Sequence, residues 1–354
     1  MQERLRTDVV VVGGGVVGWM VAHRLAAAAD LGVTVIDRDL VALGASARSA
    51  GMHFPTGRTE VVREMAHASQ IFYETFAAAR PALRWRRVRM RVHAPTAEPR
   101  WLERFTRQSR VRPARDAGPV VPSRPERSAF DVDGANHADV GQLARTLATE
   151  LHGRVARIEG VGVATITERD DGIAFGLTTG DTLLARAAVL APGPWAASPP
   201  FAPLTEPLGV RTKRIVALHV AAPVAAEDAA ELLIAEDAFL LPIPWLGAWL
   251  FSYTCEDWDV DPDACVGGVA PAHLAEATAL LHGLAPSFVD RVRGGRVFCD
   301  AYSPDRAPLV APVGAGGRML FVGACNGSGY RLAPAIAQAA VERLTHLLPS
   351  EIAA

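Results

Sequence analysis

The sequence is poor in lysine. Of its 36 basic residues Lys213 alone is a lysine, the others being arginine. In a chain this rich in alanine the bias reads as genome composition and has no functional meaning alone. Cysteine is scarce as well: Cys255, Cys265, Cys299 and Cys325 include no CxxC pair. That argues against a zinc cluster or a thioredoxin motif, and no metal site is expected. Free thiols in a reducing cytosol fit best, hence a cytoplasmic protein. No run of 18 apolar residues is free of glycine and proline, so no membrane span is expected. The first eight residues lack the apolar stretch and small-residue cleavage site of a signal peptide. Neither sign of charge dominates. A net charge of −2 excludes a polyanion binder built on overall charge. Locally, 14 arginines against Glu98, Glu103, Asp116 and Glu126 give Arg80–Arg127 a net of +10.

What is present is a globular composition. Half of the 354 residues are hydrophobic and 21% are charged, which excludes a disordered or collagen-like chain and is long enough for about two domains. The strongest local signal opens the chain. Thr7–Val12 is a β-branched run that reads as a buried parallel strand. Gly13, Gly15 and Gly18 follow in GxGxxG spacing, then an alanine-rich helix to Ala29, then a second strand Val33–Ile36 that ends on Asp37. Gly13 permits the tight turn, Gly15 removes the Cβ that would block a pyrophosphate, and Gly18 lets the helix pack on the strand. The helix N-terminus, at Val16 and Val17, turns N–H groups and a positive partial charge toward phosphate. Asp37 is placed to accept hydrogen bonds from a ribose diol. An acid there favours an unphosphorylated ribose, so NAD or FAD rather than NADP.

Four later segments choose between the two. They are Gly44–Gly51 (GASARSAG), Ala191–Trp195 (APGPW), Asp305–Leu309 (DRAPL) and Gly323–Pro334 (GACNGSGYRLAP). In that order after GGGVVG, they make the chain resemble the D-amino acid oxidase family of flavoproteins, which includes glycine oxidase and monomeric sarcosine oxidase. The resemblance spans the whole chain. It implies an α/β FAD-type Rossmann domain built from residues 1–79, 139–208 and 303–354. It also implies an α+β substrate domain with a large, mostly antiparallel sheet from 80–138 and 209–302. The residues agree. Val161–Thr167, Ile173–Thr178 and Thr182–Leu190 read as a β-meander broken at Asp170-Asp171-Gly172 and Thr179-Gly180-Asp181. Arg80–Arg127 reads as loops and short strands, Arg211–Val220 as a strand, and Phe239–Tyr253 as a hairpin across the substrate pocket. Leu274–Leu284 and Ala335–Leu348 read as helices.

The resemblance also implies the site. FAD, held without a covalent bond, would contact Gly13, Gly15, Val16, Val17, Gly18, Asp37 and Arg38. It would further contact Ser46, Arg48, Ser49, Ala50, Gly51, Val155, Gly193 and Trp195. The start of the last helix, Gly327, Gly329, Tyr330, Arg331 and Leu332, would face the flavin pyrimidine, where free N–H groups stabilise negative charge. Arg331 stands where the sarcosine oxidase pattern has a carboxylate-binding lysine, and its fork suits a carboxylate. His53, Phe239, Phe251, Tyr253 and Tyr302 are the other substrate-side candidates. Each aromatic is also a core candidate, and His53 reads first as a satisfied turn histidine, then as a base or a substrate contact. The chain departs from the glycine oxidase pattern at Asp300, which stands in an arginine's place. Phe251 stands where sarcosine oxidases carry an oxygen-activating lysine, and their flavin-linking cysteine would fall at Phe298, one step from Cys299.

The chemistry implied is oxidation of a C–N bond in a small-molecule amino acid or secondary amine. The family's glycine oxidase homologues in natural-product pathways point to a glycine or N-substituted glycine with an apolar substituent. Its imine would hydrolyse to glyoxylate and a free amine, with O2 reduced to peroxide. Orientation of the Cα–H supplies most of the protein's contribution. A quinone-linked D-amino acid dehydrogenase shares the first half-reaction. A tRNA carboxymethylaminomethyl-modifying oxidase would use the +10 stretch as its footprint, but aromatics are sparse there and a solvated face is the plainer reading. A third class is a non-catalytic flavoprotein subunit. Oligomeric state is left open.

Overall fold

The computed structural model describes residues 4–28, 31–97, 99–116, 118–265 and 267–347. The chain divides into two compact units, Met1–Ser49 with Asp139–Thr212 and Asp300–Ala354, and Ala50–Ala138 with Lys213–Cys299.

The first unit is built on a parallel core. Arg4–Val12 lies between Thr182–Leu190 and Val33–Ile36, parallel to both. Val155–Ile158 extends the sheet beside Val33–Ile36, and Met319–Gly323 beside the end of Thr182–Leu190. Val9, Val10 and Val11 are fully buried, the burial on both faces that a parallel strand needs and an unbroken β-branched run supplies. The meander is present as Val163–Arg169, Gly172–Leu177 and Thr182–Leu190, antiparallel. Helices Val16–Ala28, Val140–Glu150 and Gly329–Leu347 belong to this unit. The last begins six residues earlier than the sequence suggests, because Pro334 is tolerated within it.

The second unit holds an eight-stranded sheet. Its order is Val292–Tyr302, Arg211–Val220, Ala248–Tyr253, Ala238–Ile243, Ala229–Leu233, Arg89–Pro95, Arg127–Val132, Arg112–Pro113. Ala229–Leu233 runs parallel to Arg89–Pro95, while the hairpin Ala238–Ile243 with Ala248–Tyr253 and the pairs around it are antiparallel. One face carries Val216, Leu218, Leu240, Trp249, Phe251 and Tyr253, packed with Ala277, Leu281 and Leu284 of the helix Pro271–Leu284. The other carries Met90, Val92, Ala217, Ala230, Leu241 and Leu250. Period-2 alternation sorts these residues.

Residues 50–79, expected with the nucleotide-binding pieces, lie in the second unit instead. Met52–His53 pairs with Asn136 and His137 in a small three-stranded sheet completed by Trp85–Arg87. The helix Glu60–Ala78, unassigned from sequence, is tied there by Glu74 to Arg87 at 3.0 Å. Its signal was legible: Thr59 caps Val62 N–H, and Val62, Ala66, Ser69, Tyr73 and Phe76 repeat at helical spacing.

Candidate active site

Two glycine-bearing turns of the first unit carry the sequence motif. At Gly13 the backbone is left-handed, φ +113°, and a Cβ would stand 2.1 Å from Ala191 O. At Gly18 a Cβ would stand 1.9 Å from Gly13 O. Both glycines are therefore required by backbone approach. Gly15 differs. Its Cβ would meet Ser46 Oγ at 3.2 Å, in the notch above the helix N-terminus. Ser46 Oγ accepts the Val16 N–H at 2.9 Å. Asp37 accepts Gly14 N–H through Oδ2 at 2.6 Å and Asp39 N–H through Oδ1 at 2.8 Å. Burial nevertheless raises its carboxyl above the ordinary value. Its remaining lone pairs can take hydroxyl donors. Trp195 stacks under the Arg38 guanidinium, 4.8 Å from the ring centroid, and stands against Gly44. Gly193, at φ +60°, starts the turn that presents Trp195. Val155 is buried beside Val33. Arg48 is exposed and donates to Leu43 O. Ser49 closes this segment, whereas Ala50 and Gly51 belong to the second unit, where Gly51 O accepts Ala138 N–H.

The second turn precedes the last helix. Ala324, Asn326 and Gly327 have φ of +48°, +55° and +73°. Asn326 accepts Ser303 N–H through Oδ1 and donates through Nδ2 to Ser303 Oγ and Ala324 O. Asp300 accepts Ala301 N–H at 2.8 Å and Gly327 N–H at 2.7 Å. Burial pushes its carboxyl up to about 6, against the lowering by those two bonds. The Tyr302 hydroxyl lies beside Gly327. Tyr330 and Leu332 are buried. Arg331, in the first turn of the helix, donates to Ser328 Oγ, and burial lowers its guanidinium to about 10. Sequence reasoning noted Asp300 only as standing in an arginine's place and did not recruit Asn326; neither was read as holding this turn. Their signal was polarity: an acid and an amide in the otherwise apolar CDAY and GACN segments.

In the second unit the substrate-side candidates separate. Phe239 packs with Leu241 and Leu250. Phe251 and Tyr253 lie on the opposite face, and their proposed place in a substrate pocket is corrected. Phe251 is fully buried in the core with Leu281, and Tyr253 donates to Glu276 of the same helix at 2.7 Å. His53 is fully buried and edge-on to Tyr73, an interior histidine of a strand rather than of a turn. A cluster missed from sequence surrounds His137, which stacks on Trp245 with centroids 4.3 Å apart. Burial, then the charges of Arg86 and Arg296, lower His137 to about 3 and hold it neutral. Burial and Arg296 also lower His219. Several arginines of the +10 stretch pair with acids, among them Arg91 with Asp131 and Asp116, Arg112 with Asp133, and Arg127 with Glu236. Among the described residues no helix is long and apolar enough to cross a membrane.

Comparison with known proteins follows the same outline. The chain matches the family model described as FAD dependent oxidoreductase over residues 8–343. It is similar in structure to L-proline dehydrogenase from P. horikoshii, with 16% identity, TM-score 0.82, and 98% of this chain and 96% of that one covered. It is similar to L-alpha-glycerophosphate oxidase from Mycoplasma pneumoniae with FAD bound, at 16% identity, TM-score 0.79, and 96% and 94% coverage. It is similar to glycine oxidase from Geobacillus kaustophilus, at 17% identity, TM-score 0.77, and 98% and 96% coverage. A search of curated proteins finds no match. The notch at Gly15, the paired acid at Asp37 and the close-packed glycines fit the adenosine diphosphate half of the coenzyme, and with the match from Asp8 to Arg343 the chain belongs to the FAD-dependent oxidoreductase family.

Proposed function

We propose that this FAD-dependent oxidoreductase oxidises the C–N bond of an amino acid or secondary amine. The substrate class we favour is a glycine or N-substituted glycine with an apolar substituent, giving an imine and then glyoxylate and a free amine, with O2 as electron acceptor. The observation that carries this reading is the place of Arg331: a half-buried cation on the first turn of the last helix, whose guanidinium burial lowers to about 10. Its planar fork suits an anion with two parallel acceptors, and a carboxylate supplies them. Ser328 Oγ fixes the rotamer from below. Bound FAD supplies the two-electron acceptor. Gly15, Ser46 and Asp37 would hold its nucleotide half, in a turn that Gly13 and Gly18 shape, and Tyr302, Gly329 and Tyr330 belong to the turn that would meet its ring. The chain's own task is then orientation: holding the carboxylate so that one Cα–H is presented in a fixed direction.

The test is anaerobic bleaching of the yellow holoprotein by glycine, sarcosine and longer N-alkyl glycines, followed by peroxide and glyoxylate assays in air. Arg331→Ala should keep the visible spectrum and raise the apparent substrate constant about tenfold or more, about 1.4 kcal/mol, and Arg331→Lys should recover part of it. An unchanged constant removes Arg331 from the role. Bleaching without peroxide, with turnover restored by a quinone, would replace oxygen as the acceptor.

A further inference from the structure

A second cluster of ligating side chains lies in the other unit, apart from every residue assigned to FAD or substrate above. The loop after the strand Ala248–Tyr253 carries Cys255 and Asp257, and the first turn of the helix Pro271–Leu284 carries His273. One sulfur, one carboxylate oxygen and one imidazole nitrogen from these three lie within 4.8 Å of one another. His273 Nε2 and Asp257 Oδ2 are 2.9 Å apart. We propose that Cys255, Asp257 and His273 form a binding site for a borderline-soft divalent cation, Zn2+ first, that clips this loop to the helix.

The donor set selects the ion class. Hard cations such as Mg2+ and Ca2+ take oxygen ligands, whereas a thiolate beside an imidazole is the signature of zinc. Bonds of about 2.0 Å to nitrogen and oxygen and about 2.3 Å to sulfur place tetrahedral ligands about 3.3–3.5 Å apart. The Nε2–Oδ2 pair, at 2.9 Å, has to open slightly and the sulfur to move in, which small side-chain rotations achieve. The ion would take the place of the proton those two atoms share. Cys255 is 2% exposed, and the Asp257 N–H is directed at its sulfur. That turn aims Sγ toward the carboxylate and leaves the side chain little freedom to lose.

Charge agrees with geometry. Arg214 Nε stands 3.0 Å from Asp257 Oδ2, and Glu276, three residues after His273, is held by the Tyr253 hydroxyl. With Cys255 as thiolate, the acids Asp257 and Glu276 and the cation Arg214 leave a net of about two negative charges, which a divalent ion balances. Three protein ligands leave a fourth position for water.

The experiment uses the full-length flavoprotein grown with zinc, dialysed against a chelator, and read by metal analysis and zinc K-edge absorption. One zinc per chain, with one sulfur among its ligands, is expected. Cys255→Ser and His273→Gln should each lose it while flavin content stays unchanged. Cys299→Ser, whose thiol lies 3.1 Å from Cys265 rather than in this cluster, should retain it. No zinc surviving dialysis, a first shell of nitrogen and oxygen only, or full zinc in both variants overturns the proposal. The sulfur signal in the unmodified protein decides the matter even if a variant fails to fold.

Discussion

The two glycine-rich turns of the first unit look alike in sequence and are built on opposite physics. In the turn Gly13–Gly18 glycine is obligatory, because other backbone occupies the space a Cβ would need: Ala191 O at Gly13 and Gly13 O at Gly18. In the turn Gly323–Gly329 a Cβ at Gly327 would find its nearest neighbour, the Tyr302 hydroxyl, at 3.6 Å, and at Gly329 the Cys325 Cβ at 4.0 Å. That turn is shaped by side chains, with Asn326 clamping Ser303 and Asp300 gripping Gly327 N–H. Each turn has one acid accepting a glycine N–H, Asp37 for Gly14 and Asp300 for Gly327. The difference is what the pairing is for. The first turn is sterically determined and its acid is free to serve a ligand as well. The second is polar and adjustable, and its acid is part of the scaffold.

The comparison breaks first at Gly18. Gly18→Ala puts a methyl 1.9 Å from a backbone oxygen that no rotamer change can move. The expected loss is about 3 kcal/mol or more, in the range of severe overpacking. Purified Gly18→Ala should carry little flavin and melt well below the parent. A yellow variant of unchanged melting temperature would mean that helix and strand can part without cost, and the steric account of the first turn would fall.

Asp300 sharpens the contrast through pH. Its folded-state carboxyl is raised from 3.8 to about 6, chiefly by burial. A raised acid binds its proton more tightly in the folded chain, so its contribution to stability is complete below about pH 4 and is lost as pH rises through about 6. The full difference corresponds to about 3 kcal/mol, and partial solvent access reduces it to about 1–2 kcal/mol. Asp300→Asn cannot ionise. The gap in urea midpoint between parent and variant should therefore move in the variant's favour between pH 5 and pH 8. A gap that stays constant would show that Asp300 titrates like an exposed acid, and the turn would not be held by a desolvated carboxyl.

Much of this contrast was legible from the residues, and the boundary of legibility is physical. The first turn could be read because its requirements are local: strand, glycines, helix and acid lie within thirty-seven residues, and backbone sterics translate directly into glycine spacing. The hairpin Ala238–Tyr253 could be read as strands but not sorted by face. A single-residue change of register exchanges the two faces, and Phe251 and Tyr253 turn toward the helix Pro271–Leu284 while Phe239 and Leu250 turn away. The His137, Trp245, Arg86 and Arg296 cluster was invisible, since its members come from four separate strands or loops across more than two hundred residues. The placement of residues 50–79 failed for a related reason: Met52 and His53 pair with a strand more than eighty residues later, and nothing local announces such a partner.

The smallest expected effect separates conformation from space within the second turn. Gly327 has φ +73° with room for a methyl, so Gly327→Ala should cost only the left-handed backbone, about 1 kcal/mol. Gly329 has neither a positive φ nor a close neighbour and opens the last helix. Gly329→Ala should be neutral or stabilising by about 0.5 kcal/mol through reduced freedom of the unfolded chain. Ala324 already occupies the left-handed region at φ +48°, so this loop tolerates such a residue when the Asn326 and Ser303 clamp is in place. Chemical denaturation of the two variants side by side gives the readout. If Gly327→Ala lost as much as Gly18→Ala, backbone approach rather than side-chain clamping would shape both turns, and the distinction between them would disappear.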